Sequence, residues 1–201
     1  ARDIALGLSY LHRHKIIHMD LAADNIFIDN SGRVKLGDFG LAAKQKHGQL
    51  DLKNHTGNIR WAWNAPEVLA YGLAVLNEKT DMYCYGVVLW EIATGKLPTE
   101  GTNLQQLTDL SIQASREKVH PLPHDTPAAY AAVIRYSWKV AQLERPTADQ
   151  AFHHLSSQTL STGHTGQVRD FQQLTTLLKD HTLAMANSWL KRFHEDLPYI
   201  P

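Results

Sequence analysis

Apolar residues at the start of the chain recur at helical spacing. Ile4, Leu8 and Leu11 stand at positions i, i+4 and i+7, and Ala5 lies beside them. Such a stripe is typical of an amphipathic helix that packs one face on a core. The pattern therefore predicts a first helix that ends near residues 12–14.

Short apolar runs then replace the helical pattern. Ile16–Ile17 and Ile26–Ile28 read as strands, residues 29–32 carry a turn signal, and Val34–Leu36 reads as the returning strand of a hairpin. Between residues 38 and 61 the periodicity disappears and polar residues dominate. We predict one long loop there, and loops of that length in a compact domain are often functional.

The middle of the chain predicts a buried helix over residues 81–93. Apolar side chains fall on nearly all of its sides, at Met82, Tyr83, Tyr85, Val87, Val88, Leu89, Trp90 and Ile92. A helix that is apolar all round belongs inside a core. Gly95 and Pro98 are expected to end it.

Further helices are predicted in the last part of the chain. The pattern favours helices over 103–114 and 128–141, and another that begins at Thr147 with a capping-box sequence. A Ser/Thr/Gly-rich linker is expected over 156–166, followed by two amphipathic segments between 168 and 193. These segments favour internal packing, and contact with a partner protein is the alternative.

Composition narrows the class of protein. The chain has 201 residues, 43% of them hydrophobic, which suffices for one domain and a short appendage. Twenty basic and twenty acidic residues leave no net charge, which argues against a nucleic-acid partner. The single cysteine, Cys84, favours a reducing, intracellular (cytoplasmic) compartment. No apolar run approaches the length of a membrane span.

Three short strings carry the candidate chemistry. Residues 18–25 place Asp20 and Asn25 on one loop, Asp38-Phe39-Gly40 follows a strand, and Ala65-Pro66-Glu67 closes the long loop. One aspartate can accept a hydroxyl proton while an asparagine and a second aspartate hold Mg²⁺ on the phosphates of a nucleotide. This arrangement suits phosphoryl transfer, which needs positioned oxygen ligands and a base.

With these strings the chain resembles the protein kinase superfamily over residues 1–156. The matches in chain order are 18–25 with H-R-D-L-x-x-x-N, 38–40 with D-F-G, 65–67 with A-P-E, 81–86 with D-x-W-S-x-G, and Arg145-Pro146 with the late arginine that pairs with the A-P-E glutamate. The resemblance implies a mainly α fold with a small β-hairpin region, the C-terminal lobe of a kinase. Residues 157–201 would then form a helical C-terminal extension, with contact to a partner protein as its alternative role.

The resemblance also implies roles for the matched residues. Asp20 would be the catalytic base, and Asn25 and Asp38 would bind the metal ion. Phe27 would lie under the adenine ring, with ATP and Mg²⁺ as cofactors and a protein hydroxyl as acceptor. Supporting roles would fall to the stacked pair His18 and Phe39, to Asp81 under the catalytic loop, and to Arg145 paired with Glu67.

The sequence departs from the kinase pattern at the positions that distinguish substrate classes. Met19 replaces the usual arginine, and Ala22 replaces the lysine that serine/threonine kinases usually carry. Asp24 stands where tyrosine kinases have arginine, and Arg60 where they have proline and serine/threonine kinases have threonine. Specificity for Ser/Thr or for Tyr therefore stays open.

The motifs of the N-terminal lobe do not occur in this sequence. There is no G-x-G-x-x-G and no V-A-I-K-like strand, so we expect the chain alone to be inactive and to act as part of a longer protein kinase. The alternative is a pseudokinase or scaffold that uses the fold for protein binding, which Met19 and residues 61–63 favour. The joint presence of Asp20, Asn25 and Asp38 argues for the enzyme. Transfer to a small molecule is disfavoured by residues 65–67.

Overall fold

The structure is a computed structural model that describes residues 1–46, 49–52, 60–109 and 116–161. In that part of the chain, helices predominate and short strands form small antiparallel sheets. The helices are α1 (Arg2–Arg13), α2 (Pro66–Tyr71), α3 (Glu78–Thr94), α4 (Leu104–Thr108), α5 (Arg116–Val119), α6 (Ala128–Ser137) and α7 (Ala148–Ser161). The strands are β1 (Ile16–Ile17), β2 (Ile26–Ile28), β3 (Val34–Leu36), β4 (Ala43–Lys46) and β5 (Gln49–Leu50).

Helix α1 forms where the apolar stripe predicted it. It buries Ile4, Ala5, Leu8 and Leu11. The buried face packs mainly against α7, and the helix also contacts β3. The first helix thus joins the hairpin region to the last described helix.

The predicted hairpin is also present. Strands β2 and β3 pair antiparallel, with Ile26 opposite Leu36 and Ile28 opposite Val34. Asp29 organises the turn, because its Oδ1 accepts hydrogen bonds from the backbone N–H of Ser31 at 2.9 Å and from that of Arg33 at 3.0 Å. The hairpin brings the residue before β2 next to the residue after β3, and this end of it carries the candidate site.

The prediction of a single loop over residues 38–61 was wrong for the part that the structure describes. Strand β4 pairs with β1, with Ile16 opposite Lys44 and Ile17 opposite Ala43, and β5 pairs with β4. The polar composition of β4 hid the strand, because its pairing partner lies more than twenty residues earlier in the chain. Long-range pairing of a polar strand leaves no local periodicity to detect.

Helix α3 is the centre of the core. Asn77 begins it with a capping box, and Gly95 ends it in the left-handed conformation with φ 66°. Residues 80–91 are all buried, as the sequence predicted. At Gly86 the neighbouring α6 region approaches so closely that an added Cβ would lie 2.7 Å from Cβ of Ser137. The close approach locks α3 against α6.

The buried cysteine of α3 fits its prediction as a packing residue. Cys84 is a free thiol inside the core. Burial raises the pKa of this thiol well above its usual range. A thiol without thiolate character is a poor nucleophile, so Cys84 acts as a small apolar side chain.

Two of the later helices end before the predicted boundary. Helix α4 ends at Thr108, where Asp109 is already extended, and residues 110–115 lie outside the described part. Helix α6 ends at Ser137 instead of residue 141. Beyond the helix end, the carbonyls of Lys139 and Val140 accept hydrogen bonds from the Arg145 side chain.

Helix α7 begins with the predicted capping box but runs further than expected. Gln150 N–H donates to Thr147 Oγ1 at 3.2 Å, and the Gln150 side chain accepts from Thr147 N–H at 2.8 Å. The helix continues to Ser161, through the first residues of the predicted linker. Ser156 fits inside it because its hydroxyl donates to the carbonyl of Phe152. Residues 162–201, with both predicted amphipathic segments, lie outside the described residues, so the 156/157 boundary stays a prediction.

None of the helices in the described ranges has the length and apolar character needed to cross a bilayer. The longest of them, α3, has 17 residues and is buried in the core.

His120 is a buried histidine that the fold keeps neutral. His120 is only 1% exposed, and its ring lies edge-on to the ring of Trp90 with the centroids 4.7 Å apart. Nε2 donates to the carbonyl of Pro98 at 2.9 Å, while Nδ1 is buried and has no hydrogen-bond partner among the described residues. Burial, with Arg116 nearby, lowers the pKa of His120 to about 4.

Acidification is therefore expected to destabilise the protein through His120. The unfolded state binds the proton near pH 6.5, whereas the folded state resists it down to about pH 4. The free energy of unfolding that neutral His120 contributes is present in full above pH 6.5 and is lost as the pH falls from 6.5 to about 4. It amounts to about 3 kcal/mol. Denaturant unfolding at pH 7 and pH 4.5 measures it, with His120→Gln as the non-titrating control. An equal pH dependence in both proteins would contradict the assignment.

Candidate active site

The Asp81 carboxylate of α3 fixes the start of the loop of residues 18–25. Asp81 accepts hydrogen bonds from the backbone N–H of His18 at 2.9 Å and from that of Met19 at 3.0 Å. Met19 has φ 68°, a left-handed conformation that is unfavourable for a residue with a side chain. His12 contacts the same carboxylate at 2.8 Å. Asp81 thus holds the loop in the conformation that presents Asp20, as the sequence suggested.

Asp20 and Asn25 are in direct contact. The Asn25 side-chain amide donates to the Asp20 carbonyl oxygen at 2.7 Å and to Asp20 Oδ2 at 3.0 Å. Asn25 is buried at the end of a 3₁₀ turn, Ala23–Asn25. Because Nδ2 serves Asp20, the oxygen Oδ1 is the atom of Asn25 that is available to a cation.

Asp20 lies in a partly buried, strongly charged environment. Its Oδ1 lies 2.9 Å from Nε of Arg60, and its side chain is only 11% exposed. Burial raises the pKa of Asp20, and Arg60 and the Asn25 amide oppose that rise. A carboxylate with a raised pKa is a better proton acceptor than an exposed one.

Asp38 reaches the same end of the β2–β3 hairpin. The N–H of Gly37 donates to the Asn25 carbonyl at 3.0 Å, so the residue before Asp38 is bonded to the residue before β2. Asp38 itself has φ 54°, and its Oδ1 accepts from the N–H of Gly40 at 3.3 Å. The side chain is exposed. The structure therefore brings Asn25 and Asp38 to one edge of the hairpin, where Asn25 is buried and Asp38 is exposed.

Phe27 lies on β2 beside these residues. Its ring is 46% exposed, a large open fraction for an aromatic residue on a strand. An added Cβ on Gly37 would lie 2.5 Å from Cε2 of this ring, so a larger residue at position 37 would displace the ring. Phe27 thus offers an open apolar surface next to the two cation-binding candidates.

His18 and Phe39 are in contact, as the resemblance implied, although Phe39 is 47% exposed and not internal. Their ring centroids are 5.2 Å apart at an interplanar angle of 51°. Nε2 of the fully buried His18 donates to the carbonyl of Gly37 at 3.1 Å. The hydrogen bond and the packing indicate that His18 is structural and ties the 18–25 loop to residues 37–39.

The expected pair of Arg145 and Glu67 lies on the other side of the core. Arg145 NH1 donates to Glu67 Oε1 at 2.6 Å and NH2 donates to Oε2 at 2.8 Å. The Arg145 side chain has no exposed surface. The pair fixes the start of α2, which follows the Ala65-Pro66-Glu67 string.

The sequence analysis missed the contacts between Arg60 and the 18–25 loop. Arg60 NH1 donates to Asp24 Oδ2 at 2.6 Å, and 36 residues separate the two. It also missed the hydrogen bond from Trp63 Nε1 to the buried Glu91 at 2.9 Å, and burial raises the pKa of Glu91 to about 7. The signal for the first contact is the pair of unusual charges at 24 and 60, which are opposite in sign.

The site suits a nucleotide phosphate bound through a divalent cation. Mg²⁺ prefers hard oxygen ligands, and the amide oxygen of Asn25 and the carboxylate of Asp38 are of that kind. The neighbouring carboxylate, Asp20, is held by Asn25 and Arg60. The residue types present thus fit a ligand of this class.

Comparison with known proteins identifies the family of the chain. The family model described as protein tyrosine and serine/threonine kinase matches residues 1–155. The serine/threonine-protein kinase STY46 of Arabidopsis thaliana is 35% identical over 169 residues, which are 83% of this chain and 28% of that protein. A Dictyostelium discoideum protein named "Probable serine/threonine-protein kinase drkD" is 38% identical over 72% of this chain and 11% of its own length. Mitogen-activated protein kinase kinase kinase 13 of Homo sapiens is 32% identical over 76% of this chain and 15% of its own.

This chain spans between 11% and 28% of the length of these three relatives. The family model covers well over half of the chain, and its match ends at residue 155, next to the predicted boundary at 156. A helix-rich structure with small antiparallel sheets fits a kinase-like fold. The chain therefore belongs to the protein tyrosine and serine/threonine kinase family.

Proposed function

We propose that this chain is the C-terminal lobe of a protein kinase that transfers the γ-phosphate of ATP to a protein hydroxyl. The observation that carries the proposal is the hydrogen-bonded pair of Asp20 and Asn25, joined by the Asn25–Gly37 backbone bond to Asp38. A base and two oxygen ligands at one edge of a fixed loop are what phosphoryl transfer requires of a protein.

Asp20 acts as the base in the proposed reaction. The acceptor hydroxyl gives its proton to the Asp20 carboxylate as its oxygen bonds to the γ-phosphorus, and the bond from that phosphorus to the bridging oxygen of ADP breaks. A carboxylate has about four lone-pair positions, so the contacts from Asn25 and Arg60 leave room for the proton. Raising its pKa by burial helps Asp20 to accept it.

The residues proposed to bind ATP and Mg²⁺ lie at the same end of the β2–β3 hairpin. Asn25 Oδ1 and the Asp38 carboxylate would hold Mg²⁺, and the open ring of Phe27 would lie against the adenine. The metal ion supplies neutralisation of the phosphate charge. Asp38 has a left-handed φ of 54°, and its side chain is exposed.

The acceptor is proposed to be a serine, threonine or tyrosine of another protein. The names of the relatives favour serine or threonine. Residues 157–201 are proposed as a helical extension that contacts a partner, and the intracellular location expected from the lone cysteine also stays a prediction.

A chain-alone assay tests the lobe assignment. Because the glycine-rich strand and the lysine strand do not occur in this sequence, the 201 residues alone are expected to transfer no phosphate from Mg²⁺-ATP to a generic protein substrate. The full-length protein is expected to do so under the same conditions. Robust turnover by the 201-residue chain would show that the lobe assignment is wrong.

Nucleotide binding by the full-length protein tests the function itself. Mg²⁺-ATP is expected to stabilise the protein by about 2.7 kcal/mol at one hundred times its Kd. Asp38→Ala should remove most of that stabilisation, because it deletes a proposed metal ligand. Asp125→Ala, an exposed carboxylate outside the site, is the matched control. Equal stabilisation of all three proteins would contradict the assignment of Asp38.

Transfer of labelled phosphate by the full-length protein distinguishes the alternative, a pseudokinase or scaffold. The replacement of the usual arginine by Met19, which is buried here, favours that alternative because it departs from the active kinases. A scaffold would show no transfer of labelled phosphate in the full-length protein, whether or not it binds Mg²⁺-ATP. Transfer that depends on Asp38 supports the enzyme.

A further inference from the structure

Arg60 joins the two acidic side chains of the 18–25 loop. Its Nε lies 2.9 Å from Asp20 Oδ1, and its NH1 donates to Asp24 Oδ2 at 2.6 Å. The guanidinium is planar and presents its N–H groups in a fixed fork, so one side chain can serve both carboxylates at once. Arg60 is therefore a bridge between the proposed base and its neighbour.

The backbone and the ring around Arg60 hold this bridge in place. The Arg60 carbonyl accepts hydrogen bonds from Trp63 N–H at 3.0 Å, from Asn64 N–H at 3.2 Å and from the Asn64 side chain at 3.1 Å. The guanidinium carbon lies 6.0 Å from the centroid of the Trp63 ring. That ring is itself anchored through its hydrogen bond to Glu91 of α3. The Arg60 side chain is thus held by residues that are anchored to the core, and it does not rotate freely at the surface.

The charge of the loop requires such a cation. Residues 18–25 contain two aspartates and neither lysine nor arginine, and position 22 is a buried alanine. Two carboxylates so close together repel each other unless a positive charge lies between them. Arg60 supplies that charge from a distant part of the chain, and its own side chain is only 34% exposed. Asp24 Oδ1 is buried and finds no partner among the described residues, so Asp24 depends on Arg60.

We propose that Arg60 is a positioning residue for the phosphoryl transfer, an inference that rests on the function proposed above. It holds the Asp20 carboxylate from the Oδ1 side while Asn25 holds Oδ2. It also provides the positive charge of the loop next to the place where the acceptor hydroxyl gives up its proton. The partner of Arg60 in this arrangement is Asp24, which keeps the guanidinium aligned with Asp20.

The geometry explains why one contact is insufficient. Without Arg60, Asp20 would be held only by the Asn25 amide, and its carboxylate would rotate about the Cβ–Cγ bond. It would also face the unbalanced charge of Asp24. A displacement of about 1 Å in a reacting group lowers a rate by about 10²-fold.

Kinetics of the full-length protein test the proposal. Arg60→Gln leaves a shorter, neutral side chain that can still form hydrogen bonds but has neither the charge nor the fork of arginine. We expect kcat to fall by about 10²-fold, with KM for Mg²⁺-ATP unchanged because no proposed nucleotide ligand is touched. The melting temperature should fall because Asp20 and Asp24 lose their shared cation. Arg60→Lys restores the charge without the fork and should recover part of kcat. Asp125→Asn is the surface control.

A spectroscopic measurement remains informative if a variant folds poorly. The Arg60 Nε–H resonance of the wild-type chain, assigned through Arg60→Lys, should be protected from solvent exchange and should shift in Asp24→Asn. The Nε–H resonance of Arg135, assigned in the same way through Arg135→Lys, provides an exposed ion pair for comparison. Rapid exchange of the Arg60 Nε–H in the wild-type chain would overturn the bridge.

The possible results separate this inference from the proposed function. An Arg60→Gln protein with unchanged or increased kcat, beside an inactive Asp20→Asn protein, would overturn the role of Arg60 and leave the function standing. Full activity of Asp20→Asn would instead remove the function on which the inference rests. A fall in kcat for Arg60→Gln with partial recovery in Arg60→Lys supports the positioning role.

Discussion

Replacement of Asp20 by asparagine in the full-length protein is expected to lower kcat by about 10²–10⁴-fold, the usual contribution of a positioned base. Asparagine has nearly the shape of aspartate but cannot accept the hydroxyl proton. Its side-chain oxygen can still accept the hydrogen bond that Asn25 now donates to Asp20. Transfer of labelled phosphate to a protein substrate, at saturating Mg²⁺-ATP, measures the change.

The control for this prediction is a carboxylate of the same kind outside the site. Asp125 is exposed, and Asp125→Asn should leave kcat unchanged. The melting temperatures of both variants should stay near that of the unaltered protein, which shows that any loss is chemical. An Asp20→Asn protein that keeps more than about one-tenth of the activity would mean that another group accepts the proton.

Truncation of Arg145 to alanine should lower the free energy of unfolding by about 3–5 kcal/mol, the usual effect of breaking a buried ion pair. All five guanidinium N–H groups have acceptors: the two Glu67 oxygens and the carbonyls of Lys139, Lys79 and Val140. The variant leaves the Glu67 charge and three carbonyls without their donor. Since the total stability of a domain is about 5–15 kcal/mol, the loss is a large fraction of it. Urea unfolding of the chain measures it.

The exposed pair of Arg135 and Glu117 is the matched control. It has the same two-pronged geometry, with Arg135 Nε 2.9 Å from Oε2 and NH2 2.6 Å from Oε1, but it lies in solvent. Arg135→Ala should cost about 1 kcal/mol or less. If both truncations destabilise the chain equally, burial does not decide the strength of these pairs.

The elements with local periodicity could be predicted from the sequence. The stripe of Ile4, Leu8 and Leu11 defined α1, the apolar run gave the buried α3, and the turn at residues 29–32 gave the hairpin. Each pattern arises because one face, or every face, of an element must be apolar to be buried. Strand β4 has no such pattern because its pairing partner is far away in the chain.

Helix ends were less predictable than helix centres. Helix α6 ends at Ser137, before the predicted residue 141, and α7 continues to Ser161 although its last residues look like a linker. Within α7, Ser156 is accommodated because its hydroxyl donates to the carbonyl of Phe152. Residue propensities alone do not give either end.

At the candidate site, residue types were predictable and contacts were not. The order of Asp20, Asn25 and Asp38 followed from the motifs, and the structure brings them to one end of the hairpin. Their roles remain predictions until the variants are measured. The contact of Arg60 with Asp20 was missed because 40 residues separate the two positions; only the opposite, unusual charges at 24 and 60 pointed to it.

The bond between Asp81 and the backbone of residues 18 and 19 couples activity to core packing. Asp81 lies on α3, which is buried over residues 80–91 and packs closely against the α6 region at Gly86. A small void introduced beside that helix would move the loop before it unfolded the domain. Conservative trimming of the interior, such as Val87→Ala, should therefore give heat-sensitive enzymes, in which turnover fails several degrees below the melting transition.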